Sequence, residues 1–121
     1  MRGPLAALLF TVAAVLAGAP GCGVDSEVSR ELGARCDSLD ECDDRCLTGP
    51  RFPEGMCSRD CDDDDDCPAG ASCAELEGGV CLYACRNHEG CAFLGAGWRC
   101  LTEPERGGEP GAGVMVCVAP E

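Results

Sequence analysis

The 121-residue chain contains no lysine, isoleucine or glutamine, and it has only five aromatic residues and one histidine. Nine basic residues stand against 22 acidic ones, which gives a formal net charge of -13. A chain this acidic cannot neutralise a phosphate backbone, so nucleic acid is excluded as a partner. Because large apolar side chains are scarce, a single core supplies little stability, and small domains of this kind depend on covalent cross-links.

Groups that carry catalysis are also scarce. His88, the only histidine, lies in a polar loop between two cysteines, where a surface position is more common than a role as general base. No nucleophile motif surrounds any serine, and few large apolar residues are present to wall a cleft for paired carboxylates. We therefore expect that the chain is not an enzyme and that it uses no cofactor.

Cysteine, in contrast, is in excess, since 13 residues of the chain are cysteines. A share above about 8–10% in a short chain is typical of disulfide scaffolds from oxidising compartments. Structural zinc sites and thioredoxin-type redox motifs use C-x-x-C pairs, whereas the closest spacing here is C-x3-C. Disulfides are therefore favoured, although 13 cysteines cannot all pair with one another.

Residues 1–21 predict a secretory signal peptide in helical form. Arg2 supplies the positive start, residues 5–16 form an apolar run, and small residues follow at 17–21. The run is too short to cross a bilayer, which needs about 20 apolar residues. No other segment of the sequence is apolar for long enough to span a membrane.

The odd cysteine stands directly after this segment. Residues 19–22 (APGC) resemble the lipobox of bacterial lipoproteins, although that family prefers Leu where Ala19 stands. The resemblance implies cleavage before Cys22, acylation of its thiol and new amine, and attachment to the lipid bilayer. Several acyl chains anchor firmly because each buried CH₂ contributes about 0.8 kcal/mol. Gly23 stands where related lipoproteins carry an Asp for inner-membrane retention, which implies the outer membrane or the cell surface.

The other twelve cysteines fall into three units of four, which span residues 36–60, 61–84 and 85–121. Each unit opens with C-x5-C, and three residues separate the last cysteine of one unit from the first of the next. Residues 22–35, which hold Cys22 and no other cysteine, predict a flexible tether between the lipid and the units. The cysteines predicted to form disulfides are Cys36, Cys42, Cys46, Cys57, Cys61, Cys67, Cys73, Cys81, Cys85, Cys91, Cys100 and Cys117.

Within each unit the pattern predicts a loop followed by a short β-hairpin, in a fold that is otherwise mostly irregular. In the second unit, residues 71–76 and 80–83 are the strand candidates, and in the third unit 98–101 pair with 114–118. The connection over 102–113 is rich in Gly, Pro and Glu and is expected to be mobile. The first unit has only three residues between its second and third cysteines, so we expect it to be distorted.

Spacing alone leaves the disulfide connectivity open, because four cysteines allow three pairings. We predict first-to-third and second-to-fourth bonding in each unit, as in Cys61–Cys73, because this pairing pins the C-x5-C loop onto both hairpin strands. Six bridges at about 2–4 kcal/mol each would dominate the stability. In so thin a core, Trp98 and Tyr83 are expected to pack over the bridges rather than to serve as binding anchors.

Two of the opening loops carry a resemblance to known modules. Residues 61–73 (CDDDDDCPAGASC) and residues 36–42 (CDSLDEC) resemble the cysteine-rich repeats of bacterial lipoproteins from myxobacteria-like sources. More loosely, they are similar to Dickkopf N-terminal and EGF-like modules. The resemblance covers about residues 36–117 and implies a disulfide-stapled architecture. It says little about function, since Dickkopf modules bind receptors but none of their ligand-contacting residues can be carried over to this chain.

An unbroken run of five acidic residues fills the opening loop of the second unit. Carboxylate oxygens are the ligands that Ca²⁺ prefers, which makes this run the candidate for a weak calcium site. A charge run is more often a solvated loop, and the central Gly and closing Glu of an EF-hand are missing, so no metal site is favoured. The candidate ligands are Asp62, Asp63, Asp64, Asp65 and Asp66.

These features together predict a membrane-anchored, disulfide-stabilised lipoprotein of the cell envelope that acts as a binding or structural module. The sequence does not identify its protein partner or its oligomeric state. Two alternatives stay open: a calcium-dependent adhesion or matrix component that uses residues 62–66, and a secreted inhibitor resembling a cysteine knot. The second alternative requires ordinary cleavage near Ala19, with Cys22 left free or paired with another chain.

Overall fold

The structure is a computed structural model that describes residues 28–121. Each cysteine unit contains one two-stranded antiparallel hairpin, and most of the remaining described chain is turns and irregular segments. This architecture confirms the predicted class, a small disulfide-rich fold of three loop-plus-hairpin units. The strands are β1 (Arg45–Leu47), β2 (Met56–Ser58), β3 (Ala71–Ala74), β4 (Val80–Tyr83), β5 (Arg99–Pro104) and β6 (Gly113–Val118).

The register of every hairpin places the third and fourth cysteines of its unit opposite each other. Directly opposed residues of an antiparallel pair lie on the same face of the ladder, with their Cβ atoms about 5 Å apart. Each hairpin therefore presents two sulfur atoms side by side toward the loop that opens its unit. The opposed pairs are Cys46 and Cys57, Cys73 and Cys81, and Cys100 and Cys117.

The two cysteines of each opening loop bond to this opposed pair. The first cysteine bonds to the third and the second to the fourth, which is the predicted pairing, so each loop is fastened to both strands. The distorted first unit keeps the same pairing, although its ladder has only three residue pairs. The six bridges are Cys36–Cys46, Cys42–Cys57, Cys61–Cys73, Cys67–Cys81, Cys85–Cys100 and Cys91–Cys117.

A short 3₁₀ helix begins inside each opening loop and follows a polar residue: Ser38, Asp63 or Asn87. These residue types favour helix starts because their side-chain oxygens accept hydrogen bonds from the first turn. The Oδ1 of Asp63 accepts from the N–H of Asp65 at 2.9 Å, and the Oδ1 of Asn87 accepts from the N–H of Gly90 at 3.0 Å. The helices span Leu39–Glu41, Asp64–Asp66 and His88–Leu94.

One apolar core runs through all three units. Met56 of β2, Leu82 of β4 and Val116 of β6 are fully buried in a single cluster. Trp98 is 3% exposed in the same cluster and lies 6.4 Å, centroid to centroid, from Phe52 of the first unit. The prediction that Trp98 packs in the core is confirmed, and the three units share that core rather than each having its own.

Backbone pairing also crosses the unit boundaries. The last turn of the first unit pairs with β4, and both ends of the second hairpin pair with the third unit. Hydrogen bonds accompany the bridges, such as the one from the N–H of Cys81 to the carbonyl oxygen of Arg59 at 3.1 Å. The bridging pairs are Asp60 and Val80, Ala74 and Glu105, and Ala84 and Val116.

The third hairpin is longer than the sequence predicted. Pairing continues to Pro104 opposite Gly113, so the ends of the connection expected to be mobile belong to β5 and β6. Arg106, in the turn that remains, donates its backbone N–H to Cys73 and pairs through its guanidinium with Glu75 and Asp62. The Gly/Pro-rich composition was misleading here, because contacts with the second unit fix this turn.

The described part of the predicted tether also packs on the domain. Residues 28–35 form a turn in which Leu32 is 4% exposed within the shared core. The N–H of Gly33 donates to the carbonyl oxygen of Cys57 at 2.8 Å. The hydroxyl of Tyr83 donates to the carbonyl oxygen of Leu32, also at 2.8 Å. Residues 28–35, which the sequence placed in the flexible tether, thus lie against the domain, where burial removes the Leu32 side chain from water.

Candidate functional site

Every cysteine among the described residues is used in a disulfide. In each unit the sulfurs of the first, second and fourth cysteines lie within 4.8 Å of one another. The thiolate is the form of cysteine that binds a metal, so sulfurs held in bridges do not form metal sites. The domain therefore consumes twelve cysteines, and the remaining one in the sequence is Cys22.

Cys22, the predicted signal peptide at 1–21 and the first part of the predicted tether lie outside the described residues. Their assignment stays a prediction. Within residues 28–121, no helix is both long and apolar enough to cross a bilayer.

The five carboxylates of the second opening loop are exposed, yet most of them have partners within the chain. Asp66 accepts a hydrogen bond from the N–H of Asp62 at 2.9 Å, and Asp62 itself pairs with the Arg106 guanidinium at 3.3 Å. Asp63 caps the 3₁₀ helix, and Asp64 accepts a hydrogen bond from the N–H of Cys73. Four of the five carboxylates therefore bind groups of this chain. The carboxylates therefore stabilise the loop, and the calcium site remains an untested alternative.

Asp64 and His88 occupy the same position, the third residue after the first cysteine of their units, and they make the same contact. Asp64 Oδ1 accepts a hydrogen bond from the N–H of Cys73 at 2.8 Å. His88 Nδ1 accepts one from the N–H of Cys100 at 3.0 Å. The imidazole therefore has a structural role at Nδ1. In the first unit this position is Leu39, which is 57% exposed and has no acceptor atom.

The acidic residues of the first opening loop serve a related purpose. Glu41 Oε1 accepts hydrogen bonds from the N–H groups of Asp37 and Ser38, at 2.7 and 3.2 Å. Asp43 pairs at 3.3 Å with Arg30, which extends from the segment that precedes the domain. Glu41 thus satisfies backbone donors of a tight loop, as Asp63, Asp64 and Asp66 do in the second unit.

The most buried ion pair among the described residues joins the first unit to the third. Arg51, in the turn of the first hairpin, donates through Nη2 to Oε2 of Glu103 at 2.8 Å, and through Nε to the carbonyl oxygen of Ala119 at 2.8 Å. The two side chains are 18% and 12% exposed. This hydrogen bonding to Glu103 raises the pKa of Arg51 above its ordinary value, against the opposing effect of burial. Sequence reasoning missed the contact, because 52 positions separate its partners.

A shallow concave site lies at the junction of the second and third units. Its volume is about 370 Å³, and its apolar wall is formed by Tyr83 and Phe93, whose rings meet edge to face at 4.9 Å between centroids. Phe93 is 42% exposed, and Tyr83 is half-buried. Tyr83 was predicted to be a packed core residue, and its ring does pack against the domain while one edge faces this site. The lining residues are Ala69, Gly70, Tyr83, Ala84, Gly90 and Phe93.

Comparisons of this chain with protein-family models, with curated proteins and with solved structures found no match. The resemblance to cysteine-rich repeats of bacterial lipoproteins therefore stays a prediction that depends on the residues quoted above.

Proposed function

We propose that this chain is a lipoprotein of the bacterial cell envelope, anchored through acylated Cys22 and exposing an acidic, disulfide-stapled binding or structural module. The observation that carries the proposal is the cysteine count. Six bridges use every cysteine among residues 28–121, and the one cysteine left directly follows an apolar segment of signal-peptide length. A domain that pairs all its own cysteines gives Cys22 no partner within the chain.

The density of bridges supports a location outside the cytoplasm. Disulfides form and persist in oxidising compartments, and cytosolic reductants keep most thiols reduced. A single acyl chain binds membranes weakly and reversibly, whereas several chains on one N-terminal cysteine anchor it stably. The outer membrane or the cell surface is the proposed destination.

A binding or structural role is supported by how the polar side chains are used. The imidazole of His88 accepts a hydrogen bond at Nδ1 from the backbone N–H of Cys100, so it supports the fold. The acidic loops satisfy their own backbone N–H groups. What the domain offers to a partner is a rigid, negatively charged surface with a small aromatic concavity.

Mass spectrometry of the mature N-terminal peptide, taken from the membrane fraction of a Gram-negative host expressing the full chain, tests the proposal. We expect a peptide that begins at Cys22 and carries acyl chains. The matched control is Cys22→Ser, which keeps all twelve domain cysteines and removes the acylation site, so its N-terminal peptide should carry no acyl chains. An unmodified peptide cut near Ala19 would favour the secreted-inhibitor alternative and overturn the lipoprotein proposal.

A further inference from the structure

We propose that the aromatic concavity formed by Tyr83 and Phe93 is the face that the domain rests on a lipid surface. This inference deepens the proposed function and depends on acylation of Cys22. It concerns a different property, namely which side of the domain contacts the headgroup region of the bilayer that holds the anchor.

The chain enters the described domain beside this concavity. A Cβ placed on Gly33 would lie 2.3 Å from the Tyr83 hydroxyl and 2.9 Å from Cγ1 of Val28. Val28 and Tyr83 are therefore near neighbours, and the Tyr83 ring in turn contacts Phe93. Val28, Tyr83 and Phe93 thus form a continuous path from the first described residue to the exposed aromatic ring.

The distance to the anchor is short. Six residues of chain lead from Cys22 to Val28. Even fully extended they reach about 20 Å, at roughly 3.3–3.6 Å per residue. A compact body of roughly 100 residues is about 30 Å across. Because the reach is smaller than the body, the face that carries Val28 and its neighbours must stay nearest to the membrane.

The chemistry of the patch suits the headgroup boundary. The Tyr83 hydroxyl is already used within the domain, where it donates to the Leu32 carbonyl oxygen, so the patch offers its apolar rings, and the exposed Phe93 ring gains by leaving water. The anchor also holds the patch at a high local concentration, so weak apolar contact is sufficient. The lipidated chain lacks Arg2, so eight basic residues stand against 22 acidic ones and its formal net charge is -14. This charge opposes approach to anionic lipid, so the expected surface is zwitterionic.

Other occupants fit less well. Residues 23–27 contain one apolar side chain, Val24, among Gly, Asp, Ser and Glu, and so offer little to an aromatic pair. A second copy of the chain carries the same net negative charge, which opposes close approach of the two molecules. A lipid surface needs neither special sequence nor complementary charge.

Quenching of tryptophan emission by brominated acyl chains tests the proposal. The full lipidated chain is reconstituted into phosphatidylcholine vesicles with or without brominated lipid, as native protein and as Phe93→Trp. Trp98 is 3% exposed in the core and serves as the internal reference in both samples. The matched control is Pro110→Trp, at the exposed turn of the third hairpin, which lies beside Ala74 at the opposite end of the second hairpin from Tyr83.

We expect the tryptophan added at position 93 to lose about half of its emission in brominated vesicles, as a side chain held within about 5–10 Å of the acyl boundary would. The tryptophan added at 110 and the native Trp98 should be almost unquenched. Equal quenching at 93 and 110, or none at 93, overturns the docking face. The N-terminal mass of the same samples separates the two proposals: acylated Cys22 without quenching at 93 removes only the docking face, whereas unacylated Cys22 removes both.

Discussion

The interior of each unit and the contacts between units are held together by different chemistry. Inside a unit, two disulfides fasten one loop to one hairpin, and the same arrangement occurs three times. Between units, the contacts are non-covalent and differ from one boundary to the next: ion pairs of Arg51 and Arg106, aromatic contacts and short backbone bridges. The disulfides therefore hold each opening loop on its own hairpin, whereas the shared apolar core joins the three hairpins into a single domain.

Deleting a bridge should have the largest effect. Replacing Cys91 and Cys117 by Ala opens a loop of sequence separation 26, and replacing Cys36 and Cys46 opens one of 10. From loop-closure entropy alone, we expect losses of about 3.5 and about 2.7 kcal/mol in the free energy of unfolding. Urea unfolding under non-reducing conditions measures both.

The shape of these transitions sharpens the comparison. Because the core is shared, each double variant should still unfold in a single transition detected equally by Trp98 fluorescence and by circular dichroism. Two separate transitions in either variant would mean that the units are independent and that the non-covalent contacts between them matter little.

Breaking the ion pair between units should cost less. Arg51→Met removes the charge-assisted hydrogen bonds to the Glu103 carboxylate, which is 12% exposed, and we expect a loss of about 2 kcal/mol. Glu103→Gln and the double variant complete a thermodynamic cycle, whose coupling energy should be about 1 kcal/mol or more. A coupling energy near zero contradicts the assignment of this contact as a principal link between the first and third units.

Arg51 should stay protonated near neutrality, so its contribution to the ion pair should not change with pH there. Hydrogen bonding to Glu103 raises the pKa of Arg51, so its contribution is fully present below the ordinary pKa of arginine. The contribution is lost only as the pH rises through the raised value, in strongly alkaline solution. The difference in stability between the native chain and Arg51→Met should therefore stay constant from neutral to mildly basic pH.

The hydrogen bonds from the opening loops to the third cysteines should contribute a smaller amount. Asp64→Ala and His88→Ala each remove an acceptor from a backbone N–H, and we expect about 1 kcal/mol of destabilisation for each. Leu39→Ala is the matched control, because that position has no acceptor, and it should change stability by no more than about 0.5 kcal/mol. His88→Asp, which copies the second unit, should restore part of the loss, and its failure to do so would argue against equivalent positions.

The smallest effect is expected at Asp65, the one residue of 62–66 whose carboxylate has no hydrogen bond or ion pair in the described contacts. Asp65→Asn should change the free energy of unfolding by less than about 0.5 kcal/mol. Calorimetric titration with Ca²⁺ should detect binding no tighter than roughly millimolar, the range of weak extracellular sites. Micromolar binding that Asp65→Asn abolishes would instead support a dedicated calcium site in residues 62–66.

The repeated part of the molecule could be predicted from the sequence. The C-x5-C spacing and the strand candidates around Cys73 and Cys81 predict a loop and a hairpin. Two of the three pairings would fasten the loop to both strands, so the spacing restricts the connectivity without determining it. Local spacing was informative because each bridge closes within its own unit. The equivalence of Asp64 and His88 was also within reach, since aligning the three opening loops places both residues at the same position.

The contacts between units could not be predicted in this way. Arg51 and Glu103 meet only after two hairpins have packed, and nothing in their neighbouring residues distinguishes them from other charged side chains. Leu32 was assigned to a tether because its segment contains no cysteine, yet its side chain completes the shared core. Composition likewise failed for the third hairpin, where cross-strand pairing and Arg106 outweigh the Gly and Pro content.

The division of the 13 cysteines, twelve for the domain and one for the membrane, is the central claim. Its most direct test is the intact mass of the membrane-extracted chain after treatment with a thiol-alkylating reagent, without prior reduction. The account predicts a chain that begins at Cys22, carries acyl mass and takes up no alkylating group. A chain that begins near Pro20 without acyl mass, or one that takes up alkylating groups, would contradict it.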